Sequence, residues 1–408
     1  MDLFKKINLK LILIILLAFL VGWQLGHRDL ELKWLNHRPT VSIQSKEPPK
    51  NINIDFALFW DTWDLLSRSY LDKKALDPQK MFYGAISGMV SSLGDPYTVF
   101  LPPEQQKTSK EELGGAFEGV GIQLGFNKDK RLVVVTPLVG TPAEKAGIKP
   151  EDMIVKIDGK ETINITLPEA VKLIRGTKGT EVTLTILREG ETDTRDYALK
   201  RDTILVKSVE VSFKEEGKKI AVIKLSRFGE RTKEEWNEGV ANILSEEAEG
   251  LVLDLRNNPG GFLEGAVFVS SEFLEGGDVV LQENSEGERT AFKVTRAGKL
   301  TKIPMVVIIN KGSASASEIV AGALQDRKMA QLVGERTFGK GTIQEAEDLP
   351  GGAGIHVTIA KWLTPNGRWV NETLGLEPDV KVEEDKQEEE EQDPMKDPQL
   401  EKAVELLK

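Results

Sequence analysis

The sequence predicts an α+β multidomain chain, with an N-terminal membrane anchor, a helical N-terminal region, a small β-barrel-like module with helices, and a layered α/β core. Three observations predict it. Lys5, Lys6 and Lys10 precede a nearly unbroken apolar run, Leu11 to Leu25. From about Gly115 short strand-like segments follow one another. From about Ile204 strands alternate with glycine loops and helices, the pattern of layered α/β architectures. The length of 408 residues corresponds to about two or three domains, and 40% hydrophobic residues suffice for their cores. A net charge of −11 argues against a nucleic-acid partner. The absence of cysteine excludes disulfides, thiolate metal sites and a cysteine nucleophile.

The apolar run is shorter than the ~20 residues of a typical spanning helix but as long as a signal core. Gly22 to His27 contain no small-x-small cleavage site, and the preceding lysines stay in the cytoplasm by the positive-inside rule. The expectation is a single-pass anchor in the cell membrane, its N-terminus cytoplasmic and the rest outside; secretion after signal cleavage is the alternative. Arg28 to Asn53, with Pro39, Pro48 and Pro49, reads as a tether. Phe56, Phe59, Trp60, Trp63, Leu66 and Tyr70 recur at helical spacing, a stripe that packs within the monomer or against a partner chain, so a homo-oligomer stays open. Met81 to Leu93 reads as a second helix, ended by Gly94-Asp95-Pro96.

Gly119-Val-Gly-Ile-Gln-Leu124 reads as a glycine turn feeding a strand, and Arg131 to Thr136, Asp152 to Ile157 and Thr180 to Leu187 supply more strands. Pro168 to Arg175 is a short amphipathic helix. A dinucleotide fingerprint fails at Gly119-Val-Gly121, because Leu124 takes the place of the third glycine. In the core, Ala221 to Leu225 and Gly250 to Leu255 are strands around a helix at Lys233 to Leu244, and Arg256-Asn-Asn-Pro-Gly-Gly261 loops into a helix near Leu263. Glu383 to Asp393 is a solvated acidic run. Asp397 to Leu407 is an amphipathic helix whose Leu400, Ala403, Val404 and Leu407 share a face, able to dock on the core or on a second subunit.

The chemistry concentrates in Asn310 to Gln344. The apolar strand Met305 to Ile309 delivers Ser313, Ser315 and Ser317 to the start of a helix running to Asp326. Free N–H groups and the positive end of a helix dipole favour the negative charge of a tetrahedral oxyanion, so a serine there can be a nucleophile. Taken alone, Ser315 with Glu318 is an S-x-x-E capping box, which ordinarily only caps. A nucleophilic serine needs a base, and the histidines are His27, His37 and His356. Two lie beside the apolar run and His356 stands alone in a strand-like run, which leaves it open and makes lysine the leading candidate. Lys340, between Gly339 and Gly341, leads into an extended Thr342-Ile-Gln344, so Lys340 and Gln344 can share a strand face by the period of two. Burial beside Phe338 and Ile343 would lower a lysine from about 10.4 toward the 7 to 8 that a base requires. Taken alone, a glycine-flanked lysine is ordinarily a surface residue. Gly334 to Gly341 nearly matches a phosphate loop, but Gly341 replaces the magnesium-binding Ser or Thr and a strand, not a helix, follows.

NKGSASASEIVAGALQD followed by VGERTFGKGTIQ resembles the active-site signature of the carboxyl-terminal processing, or tail-specific, Ser/Lys proteases. The resemblance implies that Ser315 is the nucleophile, Lys340 the base and Gln344 the third member, while Ser313 and Ser317 stay structural. GLVLDLRNNPGG is a further match, implying that Gly260 and Gly261 supply an oxyanion donor together with the N–H of Ala316. GMVSSLGDPYTVFLPPEQ resembles the segment before the family's peptide-binding domain, and Trp362 to Gly367 and Gly375 to Asp379 its closing strands. TPAEKAGIKPEDMIVKIDGK resembles a PDZ domain, with Gly119, Val120, Gly121 and Ile122 at its carboxylate-binding loop. Glycine N–H groups can capture a terminal carboxylate, and the strand edge can pair with an extended peptide. Ile122, Leu124 and Leu173 are either core or the floor of a pocket for the last side chain. Arg175 is either a solvated charge at a helix end or a coupling between tail capture and the catalytic site.

The implied division is residues 1–27 signal anchor, 28–54 linker, 55–107 helical N-terminal region, 108–200 PDZ domain, 201–382 Ser/Lys protease domain, and 383–408 acidic linker and C-terminal helix. It implies a membrane-anchored serine endopeptidase acting on protein or peptide substrates with accessible C-termini, without metal or organic cofactor. The alternative is an inactive membrane-tethered PDZ scaffold.

Overall fold

The computed structural model describes residues 54–384 and 397–408, the strands Leu30–Leu35 and Arg38–Ile43, and position Phe19. Apart from Phe19, the expected anchor run lies outside the described residues, as does most of the acidic run; among the described residues no helix is long and apolar enough to cross a membrane. The chain forms two compact units, Met1–Pro78 and Gln79–Lys408.

In the first unit, part of the stretch expected as a tether is instead paired: Leu30–Leu35 and Arg38–Ile43 form an antiparallel ladder with Leu35 opposite Arg38. Leu30, Leu32 and Trp34 alternate with charged residues, a period of two that favours a strand despite the flanking prolines. The aromatic stripe lies on the helix Ala57–Ser69, where Phe59 stacks edge-on to Trp60 with ring centroids 5.0 Å apart. Among the described residues no residue of this helix is buried, and Phe59, Trp60 and Trp63 of the stripe meet one another.

The second unit begins at Gln79, within the helix Pro78–Ser91, whose Val90 packs with Phe100 and Ala353. The short strand Val99–Leu101 pairs with the long strand Gly354–Leu363, His356 opposite Val99. After the helix Pro103–Gly114 the chain enters the PDZ-like module through Ala116–Gly119 and leaves it through Asp202–Leu205, and these two strands pair with each other. The module's sheet runs Arg195–Lys200, Glu181–Leu187, Met153–Ile157, Leu132–Pro137, Ile122–Phe126, leaving Ile122–Phe126 at an edge. Along Glu181–Leu187 every second residue is buried, as one covered face requires.

The core sheet orders Val209–Glu215, Lys219–Leu225, Gly250–Asp254, Met305–Ile309, Gln331–Gly334 and Val380–Lys381; the first pair is antiparallel and the rest parallel. Its inner strands are apolar on both faces because both faces are covered. Ala221, Ile223, Leu251, Leu253, Val307 and Ile309 meet the helices Thr232–Ser245, Leu263–Ser270 and Ala316–Asp326. Their alternates Ile220, Val222, Val252, Val306 and Ile308 meet Ala403, Val404 and Leu407 of the helix Pro398–Glu405 and its last turn. Of the two docking options for that helix, the core is the one realised. A second sheet of Arg289–Lys293, Asp278–Glu283, Gly354–Leu363 and Thr342–Asp348 carries the lysine segment.

Candidate active site

The strand Met305–Ile309 ends in a turn in which Asn310 Oδ1 accepts the N–H groups of Asn257 and Gly312. Ser315 follows at φ 55° and ψ −116°, outside the regions L-residues favour, and opens the helix Ala316–Asp326. Ser313 donates to the Leu255 carbonyl at 2.8 Å, and Ser317 to the Ala314 and Asn258 carbonyls at 2.7 and 2.9 Å. Both are fully buried and serve the turn, whereas Ser315 is half-buried.

Glu318, 0% exposed, joins this turn to the lysine segment. Its Oε2 accepts the N–H of Ser315 at 2.8 Å and that of Lys340 at 2.9 Å. Its Oε1 accepts the Thr337 hydroxyl at 2.6 Å and the Gly339 N–H at 2.7 Å. Burial pushes its carboxyl above the ordinary value, and these four donors push back. The capping reading therefore captures only part of what Glu318 does.

Lys340 does not share a strand with Gln344 as expected. The strand starts at Thr342, and a bulge between Ile343 and Gln344 shifts the register. The Lys340 backbone is instead held by side chains: Glu318 takes its N–H, and its carbonyl accepts the Trp362 indole N–H at 2.9 Å. Asn371 takes the Gly341 N–H, and the Gly341 carbonyl accepts the Trp369 indole N–H at 2.8 Å. The Lys340 ammonium lies over Tyr97, 5.0 Å from the ring centroid. Burial pushes it below the usual lysine value, against the opposing pull of the Asp95 and Glu318 charges. The Gln344 amide donates to the hydroxyls of Thr342 and Thr358 at 2.9 and 3.1 Å. Among the described residues no hydrogen bond joins the Lys340 ammonium to Ser315 or to Gln344. His356 is also near: burial, then the Lys340 charge, hold it below the ordinary histidine value.

Gly260 packs against Ser315 and Ala316 and Gly261 against Phe228, and the two differ in use. Gly260 gives its N–H to Asn258 Oδ1 at 2.9 Å, while those of Gly261 and Ala316 have no partner among the described residues. Asn258 is fully buried and also donates to the Leu225 carbonyl at 2.7 Å, while its own carbonyl accepts the Ala314 N–H at 2.9 Å. Gly261 has φ 139°, and a Cβ there would collide with the Phe228 carbonyl, so only glycine fits. The free amide pair is thus Gly261 with Ala316.

In the PDZ-like module Gly121 at φ 78° packs so closely on Thr141 that a side chain is excluded. The carbonyls of Val120 and Gly121 accept the N–H groups of Ala143 and Leu138, which fixes the loop ahead of the edge strand. Val120 is core; Ile122, Leu124 and Leu173 are only partly buried against that core. Gly119 closes the Ala116–Gly119 ladder opposite Asp202. Arg175 caps the helix Leu167–Ile174, donates to Glu111 at 3.3 Å and lies 4.5 Å from the Phe117 ring centroid. It lines a cavity of about 270 Å³ together with Ser226, Arg227 and Arg231 of the core.

Three parts of the site were not singled out from sequence: the long-range role of Glu318, the Asn258 bracket, and the pair Asp95 and Tyr97. The Gly94-Asp95-Pro96 turn and the resemblance of GMVSSLGDPYTVFLPPEQ were the signals for the last.

Residues 219–382 match the model of peptidase family S41, residues 133–188 that of the PDZ domain, and residues 26–105 that of the activating protease CtpB N-terminal domain. The carboxy-terminal processing protease CtpA of Bacillus subtilis is 41% identical over 327 residues, covering 79% of this chain and 69% of that protein. A carboxyl-terminal-processing protease of Picosynechococcus sp. is 40% identical over 332 residues, covering 81% and 79%. The crystal structure of a putative S41 protease from Bacteroides fragilis, 16% identical, superposes with a TM-score of 0.50 over 83% of this chain and 92% of that one, a likeness of fold alone. The chain therefore belongs to peptidase family S41 as a carboxyl-terminal processing serine protease with a PDZ domain.

Proposed function

We propose that the protein is a membrane-anchored endopeptidase that holds the C-terminal tail of a protein substrate in its PDZ domain and cleaves it with Ser315 and Lys340. The observation that carries this reading is the single Glu318 carboxylate accepting the N–H of Ser315 at 2.8 Å and that of Lys340 at 2.9 Å, which fixes the two segments together.

Lys340, made less basic by burial, takes the proton from Ser315 Oγ as that oxygen attacks the peptide carbonyl carbon. To do so the group gives up its extra proton to solvent and leaves the Tyr97 ring as the neutral amine; catalytic hydrogen bonds commonly tighten only with substrate present. Because the Gln344 amide group is committed to Thr342 and Thr358, its carbonyl oxygen remains to accept from the lysine. The oxyanion rests on the N–H groups of Gly261 and Ala316. Collapse breaks the C–N bond, with the lysine proton passing to the leaving amine. The lysine then takes a proton from water as its oxygen attacks the acyl carbon; collapse breaks the bond to Ser315 Oγ, which receives that proton back from the lysine, freeing the acid product and the neutral amine. The Leu11 to Leu25 run supports anchoring, with the catalytic domain outside the cytoplasm.

The test is cleavage of an unstructured protein with a free apolar C-terminus beside an amidated copy. Cleavage of the free form that is lost in Ser315→Ala supports the reading. Binding without cleavage, or equal cleavage of the amidated copy, overturns it.

A further inference from the structure

The segment Asp95 to Leu101 is built into the catalytic region. Val99–Leu101 adds to the strand Gly354–Leu363, and the Thr98 hydroxyl accepts the Thr358 N–H at 3.0 Å. Thr358 is the same residue that accepts from Gln344. Asp95 closes a tight turn: its Oδ1 accepts the Tyr97 N–H at 3.1 Å and its Oδ2 the Thr98 hydroxyl at 2.6 Å. These bonds fix the backbone at Tyr97, whose ring face meets the Lys340 ammonium 5.0 Å from the centroid. Ring face and carboxylate both favour a cation, whereas a general base must be neutral.

We infer that Tyr97, braced by Asp95, is a positioning residue that holds Lys340 in its cationic resting place and thereby sets how readily the amine is released toward Ser315. The inference rests on Lys340 being the base and adds that the region before the PDZ domain tunes it. The ionisable groups facing Lys340 are Asp95 and Tyr97 from this segment, Glu318 from the nucleophile helix and His356 from the paired strand. Asp95 is ionised throughout the working range: burial raises it, but hydrogen bonds from Thr358, Thr98 and two backbone N–H groups outweigh burial and hold it below the usual carboxylate value. Deleting the ring or the charge therefore moves the lysine equilibrium toward the neutral amine.

The experiment is the pH dependence of kcat/KM on a tail-bearing peptide, whose acid limb reports the base in the free enzyme. In Tyr97→Leu and in Asp95→Asn the limb moves to lower pH by about half a unit to one unit, while Tyr97→Phe, which keeps the ring, keeps the wild-type limb. A mere loss of packing would lower the whole profile without moving the limb. Asp95→Asn is close to isosteric and decides the matter should Tyr97→Leu not fold. An unmoved limb in Asp95→Asn, a Tyr97→Phe limb displaced as far as that of Tyr97→Leu, or a limb that moves in His356→Gln instead overturns the inference. If Lys340→Met is inactive in those cases, the base assignment survives; if Lys340→Met keeps full activity, the base assignment has itself failed.

Discussion

Glu318 accepts the Lys340 backbone N–H at 2.9 Å through the oxygen that already holds Ser315 at 2.8 Å. One buried carboxylate thus sets the spacing of two segments that meet only in the folded chain. In Glu318→Gln an amide NH₂ is forced against N–H donors, and in Glu318→Ala four donors are left unmet. Each buried unmet donor costs about 1–3 kcal/mol, so Glu318→Ala lowers the melting temperature clearly and kcat/KM at least about tenfold, with Glu318→Gln between it and wild type. Melting curves and peptide hydrolysis check this; an Ala variant with wild-type values of both contradicts it.

Lys340 makes stability depend on pH in a direction that can be worked out. Burial lowers its folded-state pKa, against the opposing Asp95 and Glu318 charges. Between that lowered value and the unfolded value of about 10.4, the unfolded chain binds more protons than the folded one, so stability rises with pH across that window. Lys340→Met lacks the burden of a buried cation. It melts above wild type at neutral pH, and the gap narrows as the pH rises toward about 10. A gap that stays constant from neutral to alkaline pH is the outcome that excludes this.

How much of this site could be read from the chain depended on sequence separation. Ser315 and Ser317 stand in one contiguous turn, and the PDZ strands announce themselves by alternation, because local periodicity encodes both. Glu318 looked like a cap since its short-range bond satisfies the capping pattern; its bonds to Thr337 and Lys340 cross 19 and 22 residues, which no periodicity records. Lys340 and Gln344 read as sharing one strand, yet a bulge follows Ile343, and the lysine segment is gripped from elements distant in sequence: Glu318 and Trp362 hold the Lys340 backbone, and Asn371 and Trp369 that of Gly341. Gly260 and Gly261 look equivalent in sequence. The position of the Asn258 side-chain Oδ1, which takes the Gly260 N–H alone, separates their amides.

The C-terminal helix is clamped to the loop that carries the free amide. Arg256, just before Asn257 and Asn258, donates to Asp397 at 2.9 and 2.8 Å and to Asp254 at 2.6 Å. Burial raises the Asp397 carboxyl, but hydrogen bonds from Arg256 and from the Leu400 N–H outweigh it and leave it below the ordinary value. Its stabilisation is therefore present above the unfolded value of about 3.9 and fades as the pH falls through the folded one. With Asp397 part-exposed, solvent screening limits the loss in Asp397→Asn to about 1 kcal/mol at neutral pH. Melting curves should show the variant below wild type at pH 7 and level with it once both are acidified; a difference that persists in acid points to another cause.

Arg175 stands where the PDZ domain meets the core. Its guanidinium donates to Glu111, covers the Phe117 ring at 4.5 Å, and lines the same cavity as Arg227 and Arg231. Arg227 lies next to Phe228, whose carbonyl accepts the Phe262 N–H directly after Gly261, so a shift at this junction reaches the free amide through few bonds. Arg175→Ala removes a cation–π contact and an ion pair worth together about 1–2 kcal/mol, and cleavage of a free-tail substrate should fall up to about tenfold. Tail binding to the PDZ loop and the basal cleavage of an amidated substrate should hold. Measuring free-tail and amidated hydrolysis side by side separates coupling from general damage: equal losses on both substrates mean damage, and no loss on the free tail removes Arg175 from the pathway.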